Sequence, residues 1–355
     1  MNDEVFIIAE AGVNHNGSLA LALQLVDAAA ETGADAVKFQ TFNSASLVTA
    51  TASKADYQQE NTSASESQLE MLKKLELSRE DHLALIARCR EKGIEFISTP
   101  FDLGSLDLLV ELGVPKLKIP SGELTNAPLL HAASRSGKPV ILSTGMATLE
   151  EVHTAVSVLA HGYSPDSGNP SVQDFAAITD FRPLQGKLTL LHCTTEYPSP
   201  FPDTNLRAMD TLRDTFGLPC GLSDHTPGIS VAIAAAARGA AIIEKHMTLD
   251  RNLPGPDHKA SLDPAEFTRL VEGVRQVSVA LGSASKQPTP SEAKNLPIVR
   301  KSLVAAAAIR KGEAFTPANL TAKRPGGGIS PLHYWSYLEK TATRDYLPDE
   351  PIEAS

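Results

Sequence analysis

Polar and ionisable side chains stand at the ends of several short apolar runs in this 355-residue chain. The clearest examples surround Glu10, Lys118, His225 and His246, in the sequences IAEAGVNH, KIPSGE, SDHT and EKH. Each apolar run predicts a β-strand, and helix-length amphipathic segments lie between the runs. Lysines and hydroxyls bind anions, imidazoles bind divalent cations, and carboxylates serve as acids or bases. This combination predicts an enzyme, provided that the fold brings the strand ends together.

Two lysines are predicted to share one anion pocket. Lys38 and Gln40 are two residues apart in one strand and therefore face the same side, and Lys118 lies in a second strand. Hydroxyl groups end neighbouring predicted strands at Thr99, Ser121, Ser143 and Ser223. Together these groups predict a pocket for a phosphate and a carboxylate. Glu244 is expected to point inward as well, and a buried carboxylate there would need a cation as its partner.

Two histidines end consecutive predicted strands and are expected to lie side by side. Two imidazoles, His225 and His246, with open positions for water and substrate suit Mn, Fe, Co or Zn and leave the choice of metal open. Three carboxylates, Glu10, Glu123 and Asp257, are placed to act as acid or base or to hold hydroxyl groups. Glu123 follows the anion pocket most closely.

Strand–helix alternation repeated eight times predicts a (β/α)8 TIM barrel, in which the chemistry collects at the C-terminal ends of the strands. An open doubly wound sheet is the alternative, and the lack of a GxGxxG sequence after the first strand weakens its dinucleotide-binding form. The predicted strands are Val5–Glu10, Ala36–Gln40, Glu95–Thr99, Lys116–Pro120, Val140–Thr144, Leu188–Cys193, Cys220–Ser223 and Ala241–His246.

The domain boundary is predicted from a Pro- and Ser-rich stretch. We expect a barrel domain over residues 1–282, a linker over 283–296 and a small β-rich domain over 297–355. Two connections are long. Residues 41–77 follow the second strand on the catalytic side and are expected to form a lid or substrate wall, whereas residues 161–186 are expected to elaborate the opposite face.

Composition excludes several classes of protein. A formal net charge of −10 argues against a nucleic-acid partner, and no apolar run is long enough for a membrane span. The N-terminus has no secretory leader pattern, and the three cysteines have no CxxC spacing, so we expect a reduced, cytoplasmic protein.

Ten sequences in order resemble those of the bacterial sialic acid synthases: IAEAGVNHNG, VKFQTF, STPFD, KIPSGE, LSTGM, HCTTEYP, GLSDHT, EKHMTLD, PGPDHKASL and KRPGGGIS. The resemblance implies a TIM barrel followed by a C-terminal SAF (antifreeze-like) domain. It also implies condensation of phosphoenolpyruvate with an open-chain N-acylated hexose, either N-acetylmannosamine or 2,4-diacetamido-trideoxy-mannose. The product would be N-acetylneuraminate, legionaminate or a pseudaminate-type relative, with release of phosphate.

The resemblance also implies roles for individual residues. Those for phosphoenolpyruvate are Lys38, Gln40, Thr99, Lys118, Ser121, Ser143, Thr195, Tyr197 and Ser223. Those for the sugar are Glu10, Asn61, Tyr197, Asp257 and Arg324. Catalytic roles fall to Glu123, Glu10 and Asp257, and His225 and His246 would bind Mn²⁺, with Co²⁺ or Mg²⁺ possible. Arg324 would come from a second subunit, in a domain-swapped homodimer. Thr195 departs from the asparagine that some members carry.

Three other functions remain as alternatives. A related 3-deoxy-ulosonate synthase would use a phosphorylated aldose, which calls for a further basic cluster that the sequence lacks. A metal-dependent aldolase would release no phosphate. A carbohydrate-binding or ice-interacting protein would leave the ordered strand-end motifs unexplained.

Overall fold

The computed structural model describes residues 4–49, 51–55, 58–59, 66–165, 168, 171–176 and 178–354. The chain divides into two compact units, Met1–Gly282 and Ser283–Ser355.

The first unit is built around eight parallel strands. Each strand pairs with its neighbour in the order β3-β2-β1-β8-β7-β6-β5-β4, so the first strand lies beside the last. β3 and β4, at the two ends of this order, also contact each other. This is the order of a TIM barrel, and the predicted fold class is confirmed. The strands are β1 (Phe6–Gly12), β2 (Ala36–Thr41), β3 (Glu95–Pro100), β4 (Leu117–Ile119), β5 (Val140–Ser143), β6 (Leu188–Cys193), β7 (Cys220–Asp224) and β8 (Ile242–His246).

Helices connect the strands and cover the barrel. They span Leu19–Glu31, Ser44–Leu47, Gln68–Lys73, Arg79–Lys92, Leu103–Glu111, Ala127–Arg135, Leu149–Tyr163, Val172–Ala176, Ala208–Phe216, Ser230–Ala237 and Pro264–Leu281. Their starts follow from capping. At Ser78, for example, the side chain accepts from the Asp81 N–H while the Asp81 carboxylate accepts from the Ser78 N–H, which satisfies two helix-end donors at once.

One helix runs beyond its predicted end. The sequence predicts a helix over Leu149–Leu159, whereas the structure continues it through His161 and Gly162 to Tyr163. Both residues are buried in the structure, and a Cβ atom at Gly162 would overlap Ser134. The glycine therefore lets this helix lie close to the helix Ala127–Arg135, and packing overrides the weak local pattern.

The barrel interior is apolar at one level and polar at the next. Six strands contribute a separate interior cluster, made of Ile8, Ala36, Ile97, Ile141, Leu191 and Ile242. Two residues further along the same strands are Glu10, Lys38, Thr99, Ser143, Cys193 and Glu244. Because side chains alternate across a strand, these residues face the same side as the apolar cluster but lie nearer the C-terminal mouth. The apolar level closes the barrel beneath a ring of polar groups.

The second unit is small and β-rich. It contains the antiparallel pair β9 (Ser302–Ala305) and β10 (Leu320–Lys323) and three one-turn helices, Pro290–Ala293, Leu296–Val299 and Tyr334–Tyr337. Its core is a separate cluster that includes Leu303, Phe315 and Tyr346. The predicted linker is not wholly irregular, since Thr289 caps the first of these helices. None of the helices in the described parts of the chain is long and apolar enough to cross a membrane.

Candidate active site

The C-terminal ends of the barrel strands open into a cavity of about 740 Å³. Nearly all the residues predicted to do chemistry line it: Glu10, Lys38, Gln40, Thr99, Lys118, Ser121, Glu123, Ser143, Thr195, Tyr197, Ser223, His225, His246 and Asp257. Two predicted residues are not among these lining residues. Asn61 falls outside the described residues, and Arg324 is exposed just after β10 in the second unit.

Four buried charges form a network at the bottom of the cavity. Lys38 Nζ lies 2.6 Å from Glu10 Oε2 and 3.7 Å from Glu244 Oε2. Lys118 Nζ donates to Glu244 Oε1 at 3.2 Å, and Ser223 Oγ donates to the same oxygen at 2.8 Å. Glu244 therefore joins both lysines, as expected of a buried carboxylate that needs cations. We call Glu10, Lys38, Lys118 and Glu244 the charge network.

The two carboxylates of the charge network differ in their pKa values. Burial opposes ionisation of Glu244, but the ammonium groups of Lys118 and Lys38 and the Ser223 hydroxyl hold its pKa well below the usual range. For Glu10, burial dominates and raises the pKa to about 7, with the Glu244 carboxylate adding to the rise and Lys38 opposing it. Glu244 is thus a fixed anion, whereas Glu10 can gain or lose a proton near neutral pH.

Hydroxyl groups without partners border the charge network. Ser143 Oγ and Thr195 Oγ1 are buried and have no hydrogen-bond partner within the described part of the chain. Ser121 Oγ accepts from the Gly145 N–H at 2.9 Å, and a side chain at Gly145 would overlap both Thr195 and Ser121. Buried polar atoms are rarely left unpaired. These hydroxyls, beside two lysines, are placed to contact an anionic ligand.

The two histidines face each other beside Tyr197. Their ring centroids are 5.3 Å apart, and the Tyr197 ring lies 4.2 Å from that of His225 and 5.5 Å from that of His246. His225 Nδ1 lies 2.7 Å from the Thr194 carbonyl oxygen. A carbonyl can only accept, so Nδ1 carries a proton, and Nε2 is the ring nitrogen that can bind a metal when the imidazole is neutral.

A buried ion pair supports both histidines from behind. Lys245 Nζ donates to Asp224 Oδ2 at 2.7 Å and to the Thr226 carbonyl at 2.6 Å. Asp224 precedes His225 and Lys245 precedes His246, so the pair faces the opposite side of each strand from the imidazoles. It ties β7 to β8 at the level where the histidines emerge.

The histidines could hold a divalent cation with an incomplete set of protein ligands. His246 Nδ1 is buried, has no hydrogen-bond partner within the described ranges and lies 3.9 Å from Asp257 Oδ2. Burial and the neighbouring His225 keep the pKa of His246 well below its ordinary value, which favours the neutral form that binds metals. The described residues contain no group of three or more His, Cys, Asp or Glu arranged around a metal. Two imidazoles therefore fit an open site whose other ligands come from water or substrate.

Three polar side chains converge on Gly12. A Cβ atom at this position would lie 3.2 Å from Glu10 Oε1 and 3.6 Å from both Asp257 Oδ2 and Gln40 Nε2. Burial raises the pKa of Asp257 to about 6, with His225 and Lys38 opposing the rise. The glycine, at a φ of +52°, leaves room among these groups. This cluster can hold hydroxyl groups of a ligand.

Glu123 lies apart from the buried carboxylates. It ends the short 3₁₀ turn Ser121–Glu123 and is only half-buried. Asn126 Nδ2 donates to Glu123 Oε2 at 2.7 Å, which leaves the other carboxylate oxygen for a ligand or a water. Glu123 therefore lines the cavity beside Ser121, and its role there stays a prediction.

Several residues that line the cavity were not predicted from the sequence. Cys193 lies between the lysines and the histidines, with Sγ 3.9 Å from His225 Nδ1. Its position two residues after Leu191 in β6 was a usable signal. Met146 has a φ of +63° and is largely exposed at the cavity, and no residue pattern marks such a backbone in advance. The apolar side chains of residues 41–77 that line the cavity were not predicted either, because polar residues separate them in the sequence.

Comparisons with known proteins find matches for both units of the chain. Residues 25–286 match the NeuB family and residues 300–355 match the SAF domain. The chain is 49% identical over 349 residues to the N,N'-diacetyllegionaminic acid synthase of Campylobacter jejuni, covering 98% of this chain and 99% of that protein. It is also 49% identical over 326 residues to the enzyme of the same name from Legionella pneumophila, covering 92% and 87%.

A solved structure shares the fold. The N-acetylneuraminic acid (sialic acid) synthetase of Leptospira borgpetersenii superposes with a TM-score of 0.69 at 38% sequence identity, covering 83% of this chain and 90% of that one. The barrel, the strand-end cavity and these matches lead to one assignment: the chain belongs to the NeuB family and carries a C-terminal SAF domain.

Proposed function

We propose that this protein is a synthase that condenses phosphoenolpyruvate with an open-chain N-acylated hexose, giving a nine-carbon 2-keto-3-deoxy acid and phosphate. The observation that carries the proposal is the pairing of two buried lysines with unpartnered hydroxyls in a strand-end cavity. The relatives of legionaminic acid synthase type, 49% identical over nearly the whole chain, favour a 2,4-diacetamido-trideoxy-mannose as the acceptor and legionaminate as the product.

Phosphoenolpyruvate suits the lysine side of the cavity. It presents a phosphate and a carboxylate, and Lys38 and Lys118 lie there with the hydroxyls of Thr99, Ser143 and Ser223. A cation contributes most to binding where water is excluded and hydrogen bonds complete the anion's coordination. Because Glu10 and Glu244 already balance the lysines, an arriving anion creates excess negative charge. Protonation of Glu10, whose pKa is about 7, can offset part of that excess.

Carbon–carbon bond formation needs an activated aldehyde. The C3 atom of phosphoenolpyruvate attacks the aldehyde carbon, whose oxygen becomes an alkoxide and then takes up a proton. The attack leaves an oxocarbenium ion at C2, to which water adds. The resulting tetrahedral intermediate collapses with loss of phosphate. We assign the removal of that water's proton to Glu123, since its side chain lines the cavity and Asn126 binds one of its carboxylate oxygens. Glu10 and Asp257 hold the sugar hydroxyls near Gly12.

A divalent metal, Mn²⁺ or a similar ion, is proposed at His225 and His246. Their open geometry and the unpartnered His246 Nδ1 support this. When bound, such an ion polarises a carbonyl oxygen as a Lewis acid. The protein's own contribution is to fix the His225 tautomer through the Thr194 carbonyl and to hold both rings at one level through the Lys245–Asp224 pair.

A second copy of the chain is proposed to complete the sugar site. Arg324 is exposed, and the Gly326–Gly328 turn follows it. The same unit exposes Leu332 and Trp335, at 87% and 74% of their surface, an apolar area that suits docking on protein. We therefore propose a homodimer in which Arg324 reaches the partner's cavity. A cytoplasmic location is proposed as well, in keeping with three cysteines that are all free.

The first prediction tests the function directly. Phosphate release from phosphoenolpyruvate should require an N-acylated hexose, and mass spectrometry should find the nine-carbon acid. Lys38→Met and Lys118→Met should each weaken phosphoenolpyruvate binding by about ten- to a hundredfold, since each loses a charged hydrogen-bond donor. Lys116→Met is the matched control, because Lys116 pairs with Glu95 outside the cavity. Condensation without phosphate release would show an aldolase instead.

The second prediction concerns the metal. Mn²⁺ titrated into the chelator-treated protein should bind, and phosphate release should return with Mn²⁺ or Co²⁺. His225→Ala and His246→Ala should abolish the binding seen by calorimetry, whereas His153→Ala, on a covering helix, should retain it. Full turnover in protein shown by elemental analysis to be metal-free would refute the metal site.

The third prediction concerns the dimer. Arg324→Ala and Lys118→Met chains should each be nearly inactive and should regain activity after subunit exchange, because one site in each mixed dimer then has both residues. Sedimentation should show a dimer at the assay concentration. A fully active monomer, or mixed chains that stay inactive after proven exchange, would contradict the proposal.

A further inference from the structure

One side of the active-site cavity is apolar. A cluster distinct from both barrel cores forms beside the strand ends, and most of its members line the cavity. We call the following residues the apolar wall: Val13, Leu47, Val48, Met71, Leu75 and Phe101. They come from the turn after β1, the long segment after β2 and the end of β3. An enzyme for a polyhydroxylated sugar alone would not need this surface.

The apolar wall is held in place by its own polar contacts. Ser67 and Glu70 form a capping box at the start of the helix Gln68–Lys73, which carries Met71. The Ser44 N–H donates to Glu76 Oε1 at 2.7 Å and so ties the two ends of the long segment together. Gly17, at a φ of +75°, lies so close to the Lys74 carbonyl that a side chain there would overlap it. The wall is therefore a preformed surface rather than loosely collapsed apolar groups.

The wall and the charge network divide the cavity between two ligands. The lysines and hydroxyls bind the phosphate and carboxylate of phosphoenolpyruvate, so the acceptor occupies the space that the wall borders. A hydroxyl group placed against aliphatic side chains loses its hydrogen bonds to water without replacement, which is unfavourable. Methyl groups have no such cost and gain from burial.

Two amide side chains accompany the wall. Gln58 and Gln68, from the same long segment, line the cavity and are half-buried. An acylamino group presents an amide, which can bond to Gln68, and a methyl, which can pack on Met71 or Leu75. Neither a phosphate nor a simple polyol offers this combination.

We propose that the apolar wall selects an acceptor in which hydroxyls are replaced by methyl and acylamino groups, namely a deoxygenated, di-N-acylated hexose, over the mono-N-acylated polyhydroxy hexose. This inference rests on the proposed function and assigns its sugar specificity to the residues after β2. The wall acts by rejecting hydroxyls as much as by attracting methyls.

A matched set of acceptors tests the proposal. N-acetylmannosamine, its 6-deoxy analogue and the 2,4-diacetamido-trideoxy sugar differ stepwise in hydroxyl content. In the wild type, kcat/KM should rise along this series. Removal of a hydroxyl that would contact the apolar wall should raise kcat/KM by about tenfold to a hundredfold. The ratio of kcat/KM for the last sugar to the first is the quantity to follow in variants.

Two variants should lower that ratio. Met71→Gln puts an amide on the buried part of the wall, and Val48→Thr exchanges a methyl for a hydroxyl at a half-buried position without changing volume, so it should fold even where Met71→Gln does not. The KM for phosphoenolpyruvate should stay unchanged in both. Leu83→Gln, at an exposed leucine on the helix Arg79–Lys92, is the control and should leave the ratio unaltered.

The outcomes separate the two proposals. No phosphate release with any acceptor would refute the proposed function itself. Release with all three acceptors but a ratio near one in the wild type, or a ratio that folded Val48→Thr and Met71→Gln leave unchanged, would refute the role of the apolar wall while the synthase function stands.

Discussion

The active site depends on one buried carboxylate that holds two lysines. Glu244 lies within 3.7 Å of Lys38 Nζ and 3.2 Å of Lys118 Nζ. Two ammonium groups placed together in a barrel interior without water would repel each other and lose their hydration. Both effects favour the neutral form of each lysine. The shared carboxylate opposes that loss at both lysines. In spite of burial, the carboxylates of Glu10 and Glu244 together raise the pKa of Lys38 above its ordinary value. Burial lowers the pKa of Lys118, although Glu244 opposes the shift.

The rest of the cavity is arranged around this charge network by the two-residue period of the strands. Ile8 in β1 and Ile242 in β8 belong to the apolar level, and Glu10 and Glu244 lie two residues further along these strands. His246 lies two residues beyond Glu244. Anion binding, carbonyl activation and sugar binding therefore occupy successive levels of one barrel. The apolar level fills the barrel below these residues, so the reacting groups lie at the C-terminal mouth.

Much of this arrangement was predictable from the sequence. Strand alternation predicts that Lys38 faces the same side as Gln40 and that Glu244 lies below His246. In the structure all four side chains line one cavity. Helix bounds such as Leu19–Glu31 and Arg79–Lys92 follow from amphipathic period and capping residues. These features depend on local rules that act within a few residues.

Other features depend on contacts between distant segments, which local rules do not reach. The His225 tautomer is fixed by a carbonyl 31 residues away in the chain. The apolar wall joins residues near 13, 48, 71 and 101, none of which forms an apolar pattern with the others in sequence. The low pKa of Glu244 and the high pKa of Glu10 arise from different balances of burial and lysine contacts on neighbouring strands. These contacts join residues that are distant in sequence and exist only in the folded barrel.

The central claim is that the lysines are balanced by carboxylates before the substrate arrives, with Glu10 as the group that can take up a proton. Calorimetry of phosphoenolpyruvate binding at about pH 8, in buffers of different ionisation enthalpy, tests it most directly. At that pH Glu10 is mostly ionised in the free protein, and an added anion raises its pKa. The heat should therefore report net proton uptake by the wild type, and Glu10→Gln should lose that uptake while still binding the ligand. No proton uptake in the wild type, or equal uptake in Glu10→Gln, would contradict the account.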